Sequence, residues 1–559
     1  MIPERGHRLL PAVSALLAVS AFPPFHFLIP SFVALVPLAV WVVDQNDRYD
    51  VLGGSARPTD ALTRKVADRV ASERVFRGGV WFGVLYFGLL LYWIPLALAG
   101  FAWWAVPAYL TIVIVFALCA GCFTWALRRL TTNGGIPLWL ALPLTWTALE
   151  WVRAHMPGGL AFPWLGLGTS LTGYPELVGA AELVGARGIT LWVALLNGLI
   201  AEAVRAARAR NGIRASGRWA MAFAVVLAVP AGWGYWRADT LTLRTVGEVA
   251  VVQPNVAAQL RLEGGQSNDS TLASLVRLIP EGNGPFPALP DGDRPASDMP
   301  GGGGFAPDLV VWPEVTFFGP IETDRALRER VRAVAERWSA PVVFGGIGQS
   351  VTEEGRPFPL NSAFLTEGDG RLAGFRYDKH RLVPLVERLP FHGGAWRPGG
   401  TEVEAYGGGS DWPLGSIGGG ARFGVLICNE SIFASHARKL RLEGADFFVN
   451  LTNDGWFGRE TWYTRTSALW QHPAHLVMRA IEQRVGIARA ANTGFSLFVD
   501  PIGRIYGRTE LFQAAVSSEK VYTTDVLTLY SRTGDVAGWT AVLLTLALLL
   551  IPLPWRHPA

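Results

Sequence analysis

Four residues in this chain have the types and settings that could do acyl chemistry. Cys428 closes the apolar run Phe423-Gly-Val-Leu-Ile-Cys428 and is followed by Asn429 and Glu430. Glu314 comes after Val310-Val-Trp-Pro, Lys379 after Tyr377-Asp, and Glu387 eight residues beyond the lysine. A thiol becomes a strong nucleophile only as the thiolate, so Cys428 needs a base. A carboxylate on a turn can serve, and Pro313 stops a strand just before Glu314. A compact ammonium can hold an oxyanion, and Lys379 is one of only four lysines in an Arg-rich chain. Glu387 could keep Lys379 charged and oriented, or assist the thiol. A helix predicted to open at Ser431 would add backbone N–H groups facing both thiolate and oxyanion. Each residue alone has a plainer reading: a buried structural cysteine, an exposed loop acid, a surface lysine, an ion pair between Glu387 and Arg388. His380 reads as a hydrogen-bonding side chain. Spacing alone does not join them into one site.

The elements that must position these residues lie between about 245 and 530. Short β-branched runs at 246–253, 309–312, 342–346, 362–366, 423–428, 447–451, 486–491 and 495–499 predict strands. Stretches 323–338, 431–442 and 461–484 predict helices. Alternation of this kind favours a layered α/β fold, with Glu314, Lys379 and Cys428 on strand ends. Residues 264–306 are rich in Gly, Pro, Ser and Asp and read as a flexible insertion.

The flanks are different. The chain has 559 residues, half of them apolar, and a net charge of +4. Residues 245–530 hold 27 basic and 32 acidic residues, the remainder 22 and 13. The basic excess therefore belongs to the apolar flanks, which argues against nucleic acid and for charge-set membrane topology. Apolar segments of spanning length, roughly 20 residues, are read near 9–23, 27–43, 79–98, 102–127, 136–152, 179–203, 218–236 and 536–554. The domains are thus 1–240, with seven spans; 245–530; and 536–554, an eighth span. Alternate connections are basic: Arg5 and Arg8, the 44–78 loop, Arg128 and Arg129, then Arg205 to Arg218. By the positive-inside rule both termini are cytoplasmic and residues 245–530 extracytoplasmic. Residues 1–22 read as an uncleaved first helix rather than a signal peptide. The apolar 150–175 connection, with Trp151 and Pro163-Trp164, reads either as a re-entrant segment bordering the active face or as interfacial anchoring. Cys119 and Cys122 form a CxxC within an apolar run, where small-residue packing is the better reading. A thiol site tethered to a membrane suggests a lipid substrate.

The joint pattern resembles a known family. Val310-Val-Trp-Pro-Glu314, Tyr377-Asp-Lys-His-Arg-Leu-Val-Pro384 with Glu387, and Leu426-Ile-Cys-Asn-Glu430 are similar to the Glu-Lys-Cys motifs of the nitrilase superfamily. Asn450-Leu-Thr-Asn-Asp-Gly-Trp-Phe-Gly458, Gln471-His472, Arg479-Ala-Ile-Glu482, Ala491-Asn-Thr-Gly494 and Pro163-Trp164 look like its apolipoprotein N-acyltransferase branch. The resemblance implies a nitrilase-like αββα sandwich on the periplasmic face of an eight-span helical bundle in a bacterial inner membrane. It implies Glu314 as base, Lys379 as oxyanion stabiliser, Cys428 as nucleophile and Glu387 as a second essential acid. Asn429, Glu430, Asn361 and Trp456 fall at supporting positions. The partners implied are a phospholipid donor and a diacylglyceryl-modified lipoprotein acceptor, with no metal or cofactor. The chain departs from the pattern at Asn429, often Tyr in the family, and at Leu385-Val386, where Phe-Gly is usual. Leu262 stands near an expected Trp. Apolar loops 389–396 and 456–462 are candidate lids that exclude water. Rival readings are a membrane-tethered amidase and a transporter or receptor with an extracytoplasmic ligand domain; the latter predicts charges lining a path through the spans.

Overall fold

The computed structural model describes residues 7–45, 61–98, 105–208, 212–256, 265–279, 307–353, 355–388, 390–391 and 406–551. Leu262, residues 280–306 and most of the 389–396 loop lie outside them. The chain divides into two compact units: Met1–Met156, Ala161–Ala238 and Thr533–Ala559; then Pro157–Leu160 with Asp239–Arg532.

The first unit is helical: α1 (Leu9–Ser20), α2 (Leu28–Val33), α3 (Val36–Asp44), α4 (Ala61–Leu90), α5 (Trp93–Leu98), α6 (Ala105–Arg128), α7 (Leu138–Ala154), α8 (Ala181–Arg208), α9 (Gly212–Thr240) and a closing helix, Val536–Leu550. Among the described residues, four helical stretches are long and apolar enough to cross a membrane: Lys65–Ala97, Ala105–Thr132, Ala181–Arg208 and Ser216–Thr240. Leu9–Ser20, Leu28–Asp44 and Val536–Leu550 are shorter apolar helices. The basic segment expected to be loop up to Gly78 is helical from Ala61 onward; its Ala, Leu, Lys and Arg are good helix formers, so the helix outruns its apolar window. Helices α4 and α6 approach closely through small residues: a Cβ at Gly83 would lie 2.6 Å from the Ala117 Cα. Trp164 is only 2% exposed and stacks on Phe162, which rules out an interfacial-anchor role for that residue. Glu182 and Glu202, the acids a transport path would use, are buried and partnered. Glu182 binds Arg237 at 2.7 Å, and Glu202 accepts the Leu138 N–H at 2.8 Å.

Among its described residues the second unit contains two six-stranded sheets. The first has strands β1 (Arg244–Gln253), β2 (Leu309–Val311), β3 (Val342–Val351), β4 (Pro357–Thr366) and β5 (Leu372–Asp378). The second has β6 (Gly415–Ser416), β7 (Arg422–Ile427), β8 (Phe447–Thr452), β9 (Gly486–Ala491), β10 (Leu497–Val499) and β11 (Ile505–Tyr506). Strand β12 (Ala515–Thr523) returns to the first sheet, whose order is β12-β1-β2-β3-β4-β5; the second runs β11-β10-β9-β8-β7-β6. Pairings β1–β2, β2–β3, β7–β8 and β8–β9 are parallel.

Strand alternation explains the layers. Val249, Val251, Leu309 and Val311 face Val425, Ile427, Val449 and Leu451 in a core between the sheets. Their neighbours Ala250, Val252, Val310 and Trp312 point the other way. That outer core is covered by α10 (Gly265–Arg277) and α11 (Arg325–Glu336), through Leu272, Leu275, Leu327 and Val331. Helices α12 (Ala434–Leu442) and α13 (Ala468–Gln483) pack on the second sheet. Sheets covered on both faces read as apolar runs. Helix α10 corrects the reading of 264–306 as wholly flexible: Ser, Asn, Asp and Thr dominate the composition, but Leu272 and Leu275 share one helical face and are buried.

Candidate active site

Glu314 sits on the turn after β2, pressed against β3. The Gly345 N–H donates to the Pro313 carbonyl at 3.0 Å, and the Thr316 N–H to the Gly345 carbonyl at 2.8 Å. Lys379 follows the last residue of β5, where its N–H donates to the Asn361 carbonyl of β4 at 2.8 Å. Glu387 lies on a tight turn that brings Leu385 N–H within 2.8 Å of the Arg388 carbonyl. All three side chains are buried.

Together they form one cluster. Lys379 Nζ donates to Glu314 Oε1 at 3.0 Å and to Glu387 Oε1 at 2.9 Å. Asn361 Nδ2 bridges the same two oxygens, 2.9 Å from each. The remaining oxygens accept backbone N–H groups: Glu314 Oε2 from Asn453 at 3.1 Å and Glu387 Oε2 from Val383 at 2.7 Å. Every carboxylate oxygen is thus satisfied, which two buried acids require. Glu387 pairs with Lys379 rather than forming the surface pair with Arg388. Burial works against the Lys379 ammonium, yet the two carboxylates outweigh it and hold its pKa well above the usual value.

Cys428 directly follows β7 with φ of 50°, in the left-handed region. It opens a single 3-10 turn, Cys428–Ile432, and helix α12 begins only at Ala434. The α-helix N-terminus expected at Ser431 is therefore displaced, because Phe433 is extended between the two elements. Cys428 feels the charges of both Glu314 and Lys379. Burial raises its thiol well above the ordinary range, the Glu314 charge adds to that, and Lys379 opposes it. The resting group is a thiol, so a base must take its proton as it attacks.

Glu430 is a brace. Its oxygens accept from Ile427 N–H (2.8 Å), Tyr377 O–H (2.9 Å), His380 N–H (2.7 Å) and Arg381 N–H (3.2 Å). It thus ties the Lys379 segment of one sheet to the Cys428 turn of the other. Burial pushes its carboxyl up to about 7 against these donors. His380 stacks on Trp412, with ring centroids 4.1 Å apart. His380, Glu430 and His436 bring ligand atoms within 4.8 Å of one another, but the Glu430 oxygens are already engaged by these four donors. Asn429 is half-buried, and its Oδ1 has no partner among the described residues. Trp456, half-buried, ends a 3-10 turn after β8, and Trp462 is 79% exposed.

Residues to which the sequence reading gave no role, most of them inside the quoted family motifs, complete the site. Asn453 caps Glu314 through its backbone, and Tyr377 holds Glu430. Under Cys428 lie Asp454, His472 and Arg489, all at most 1% exposed. Asp454 Oδ1 faces His472 Nδ1 at 3.0 Å, and Oδ2 accepts from Arg489 Nη2 at 2.6 Å. Burial opposes the Asp454 anion, but Arg489 and His472 hold its carboxyl down to about 2. Asp454 and His472 stood in the quoted motifs; the signal for Arg489 was a charge inside the apolar strand run 486–491.

Two family models match the chain: Apolipoprotein N-acyltransferase N-terminal domain over residues 14–199, and Carbon-nitrogen hydrolase over residues 220–525. The apolipoprotein N-acyltransferase of Agrobacterium fabrum is 31% identical over 533 residues, covering 90% of this chain and 89% of that protein. This chain belongs to the apolipoprotein N-acyltransferase family. Family members from Geobacter metallireducens and Rhodopseudomonas palustris are each 29% identical to it. The first alignment covers 84% of this chain and 85% of the relative, the second 98% and 96%. An amidase from Nesterenkonia sp. aligns with 53% of this chain and 95% of its own at 19% identity, with a TM-score of 0.34, too low to carry weight.

Proposed function

We propose that the protein moves the sn-1 acyl chain of a phospholipid to the N-terminal amine of a diacylglyceryl-cysteine on a lipoprotein. The observation that carries this is the buried Glu314–Lys379–Glu387 cluster beside Cys428, in a chain of this family. Glu314 accepts the thiol proton as Cys428 sulfur attacks the ester carbonyl. Lys379 and the Asn429 N–H hold the resulting oxyanion. The C–O bond breaks, the proton passes to the departing lysophospholipid oxygen, and a thioester remains. The lipoprotein amine then attacks the thioester, forming an amide. The C–S bond breaks, the amine's proton leaves through Glu314, and the thiol is restored. Glu387 keeps Lys379 charged and aimed, and Asn361 fixes the two carboxylates relative to each other. The chemistry needs no metal. We further propose eight membrane crossings in a bacterial inner membrane, both termini cytoplasmic and residues 245–530 periplasmic, on the strength of the alternating basic connections.

The test is intact-mass spectrometry of the full-length protein in detergent, given a phospholipid with a labelled sn-1 chain and no acceptor. The expected result is a hydroxylamine-sensitive acyl adduct on Cys428, absent from Cys428→Ala and discharged by a diacylglyceryl-cysteine peptide. A folded protein that forms no adduct with any phospholipid would overturn the proposal.

A further inference from the structure

The turn that carries the nucleophile is held from below by groups that have no part in the chemistry just described. His472, on α13, places Nε2 3.2 Å from the Cys428 carbonyl oxygen and 3.2 Å from Ser431 Oγ. Ser431 Oγ itself donates to the Cys428 carbonyl at 2.9 Å. A carbonyl oxygen only accepts, and the serine proton is already given to it, so His472 Nε2 carries a hydrogen and donates. The other ring nitrogen faces Asp454 Oδ1 at 3.0 Å, with Arg489 Nη2 3.3 Å away, and Thr452 Oγ1 donates to the same aspartate oxygen at 3.1 Å. The ring is thus fixed from both ends, and Phe457 meets it edge-on.

The peptide that joins Cys428 to Asn429 is planar and trans, so its carbonyl and its N–H point in opposite directions. Fixing the carbonyl fixes the N–H. We propose that His472, oriented by Asp454 and assisted by Ser431, is the positioning residue of the oxyanion hole: it pins the Cys428 carbonyl downward and so aims the Asn429 N–H at the developing substrate oxyanion. The inference rests on the acyl-transfer reading above and names a part of its machinery. His472 touches no reacting atom; it acts through the peptide plane. Cys428 adopts a left-handed backbone that an L-residue holds only when its surroundings dictate it, and the two bonds to its carbonyl are such surroundings.

The role predicts a split between two reactions of one thiol. Alkylation by iodoacetamide generates no oxyanion and needs only the sulfur and its base. Acylation by an ester generates one, and losing an oxyanion donor lowers such a step by about 10²–10³-fold. The experiment measures both rates at Cys428, with p-nitrophenyl butyrate and a phospholipid as acyl donors. It compares wild type with His472→Leu, His472→Gln and Ser431→Ala, each as full-length protein. The expected result for His472→Leu is acylation lowered about a hundredfold or more by either donor, with alkylation within about twofold of wild type. His472→Gln, whose amide can donate to the same carbonyl, should recover part of the acylation. Ser431→Ala, which removes one of the two donors and a single oxygen atom, should fall between. Equal losses of alkylation and acylation in His472→Leu and Ser431→Ala would mean mere support of the fold and would overturn the inference, as would undiminished acylation. A wild type that is alkylated but acylated by neither donor would instead overturn the acyl-transfer reading, and the inference with it.

Discussion

At the scale of single residues the site is an electrostatic balance: two carboxylates, one ammonium and one thiol, all withdrawn from water. Lys379 is the linchpin, because among the described residues it is the cation that pairs with both acids. Lys379→Met should leave two carboxylates buried without a counter-charge, a change of about 3–5 kcal/mol for a broken buried pair. Thermal unfolding should report that loss, and acyl-adduct formation should vanish. Glu314→Gln keeps the shape but cannot take a proton, and its NH2 must face a donor, either the Asn453 N–H or Lys379 and Asn361. Adduct formation should fall about 10²–10⁴-fold, with Lys379 still paired to Glu387 and the protein still folded. A Gln variant with near-normal acylation kinetics would remove Glu314 as base. Glu314 and Cys428 were legible in the sequence because each follows or closes an apolar strand run, a setting surface residues seldom share; Lys379 and Glu387 were legible through the family motif around them. Their mutual contacts were not legible. Nothing in the spacing of Asn361 from Glu314 and Glu387 shows that one amide nitrogen touches both.

At the scale of elements, the backbone sets the distances. A Cβ at Gly345 would lie 2.5 Å from the Val315 nitrogen and 2.7 Å from the Glu314 Cα. Gly345→Ala should therefore push the Glu314 turn away from β3. Acylation should drop at least tenfold while iodoacetamide still reaches Cys428; unchanged kinetics would show that the strand yields freely. Helix α12 carries a second test. Burial, with Arg381 and His380 adding their repulsion, lowers the His436 pKa to about 3. The unfolded chain binds that proton near pH 6.5 and the folded one does not, so stability is fully present above 6.5 and is lost as pH falls toward 3. Between pH 7 and 5 the loss from this side chain is about 2 kcal/mol. Denaturant midpoints should fall accordingly, and His436→Leu should flatten the dependence; a pH-independent wild-type midpoint would refute it. The strands read from β-branched runs lie within a few residues of those found. Strand β5, Leu-Ala-Gly-Phe-Arg-Tyr-Asp, and β12, Ala-Val-Ser-Ser-Glu-Lys-Val-Tyr-Thr, escaped because they lie at sheet edges, where one-sided burial leaves a mixed pattern. Helix α10 escaped because two buried leucines are a faint signal against polar neighbours.

At the scale of the whole molecule, charge distribution carries the topology proposal. A cysteine at Glu353, in the second unit, should react with an impermeant maleimide in intact spheroplasts. One at Glu73, on α4, should react only after permeabilisation, with Cys122 replaced by serine in both proteins. The reverse pattern would invert the orientation. The apolar content made a membrane part plain from sequence. Helix ends were less so, since α4 runs well beyond its apolar stretch. The architecture of the second unit also bears on how the enzyme comes into being. Glu314, Asn361 and Lys379 belong to one sheet; Cys428, Asp454, His472 and Arg489 belong to the other layer, and Glu430 spans the two. The first sheet is not finished until β12 pairs with β1, and β12 is the last strand to leave the ribosome. A half-made chain thus presents Cys428 opposite Glu314 on an incomplete sheet. With the acyl transfer proposed above, reactivity toward lipid should switch on late in biosynthesis, when the final strand docks, so a stalled or truncated chain in the membrane would not strip acyl chains from the bilayer around it.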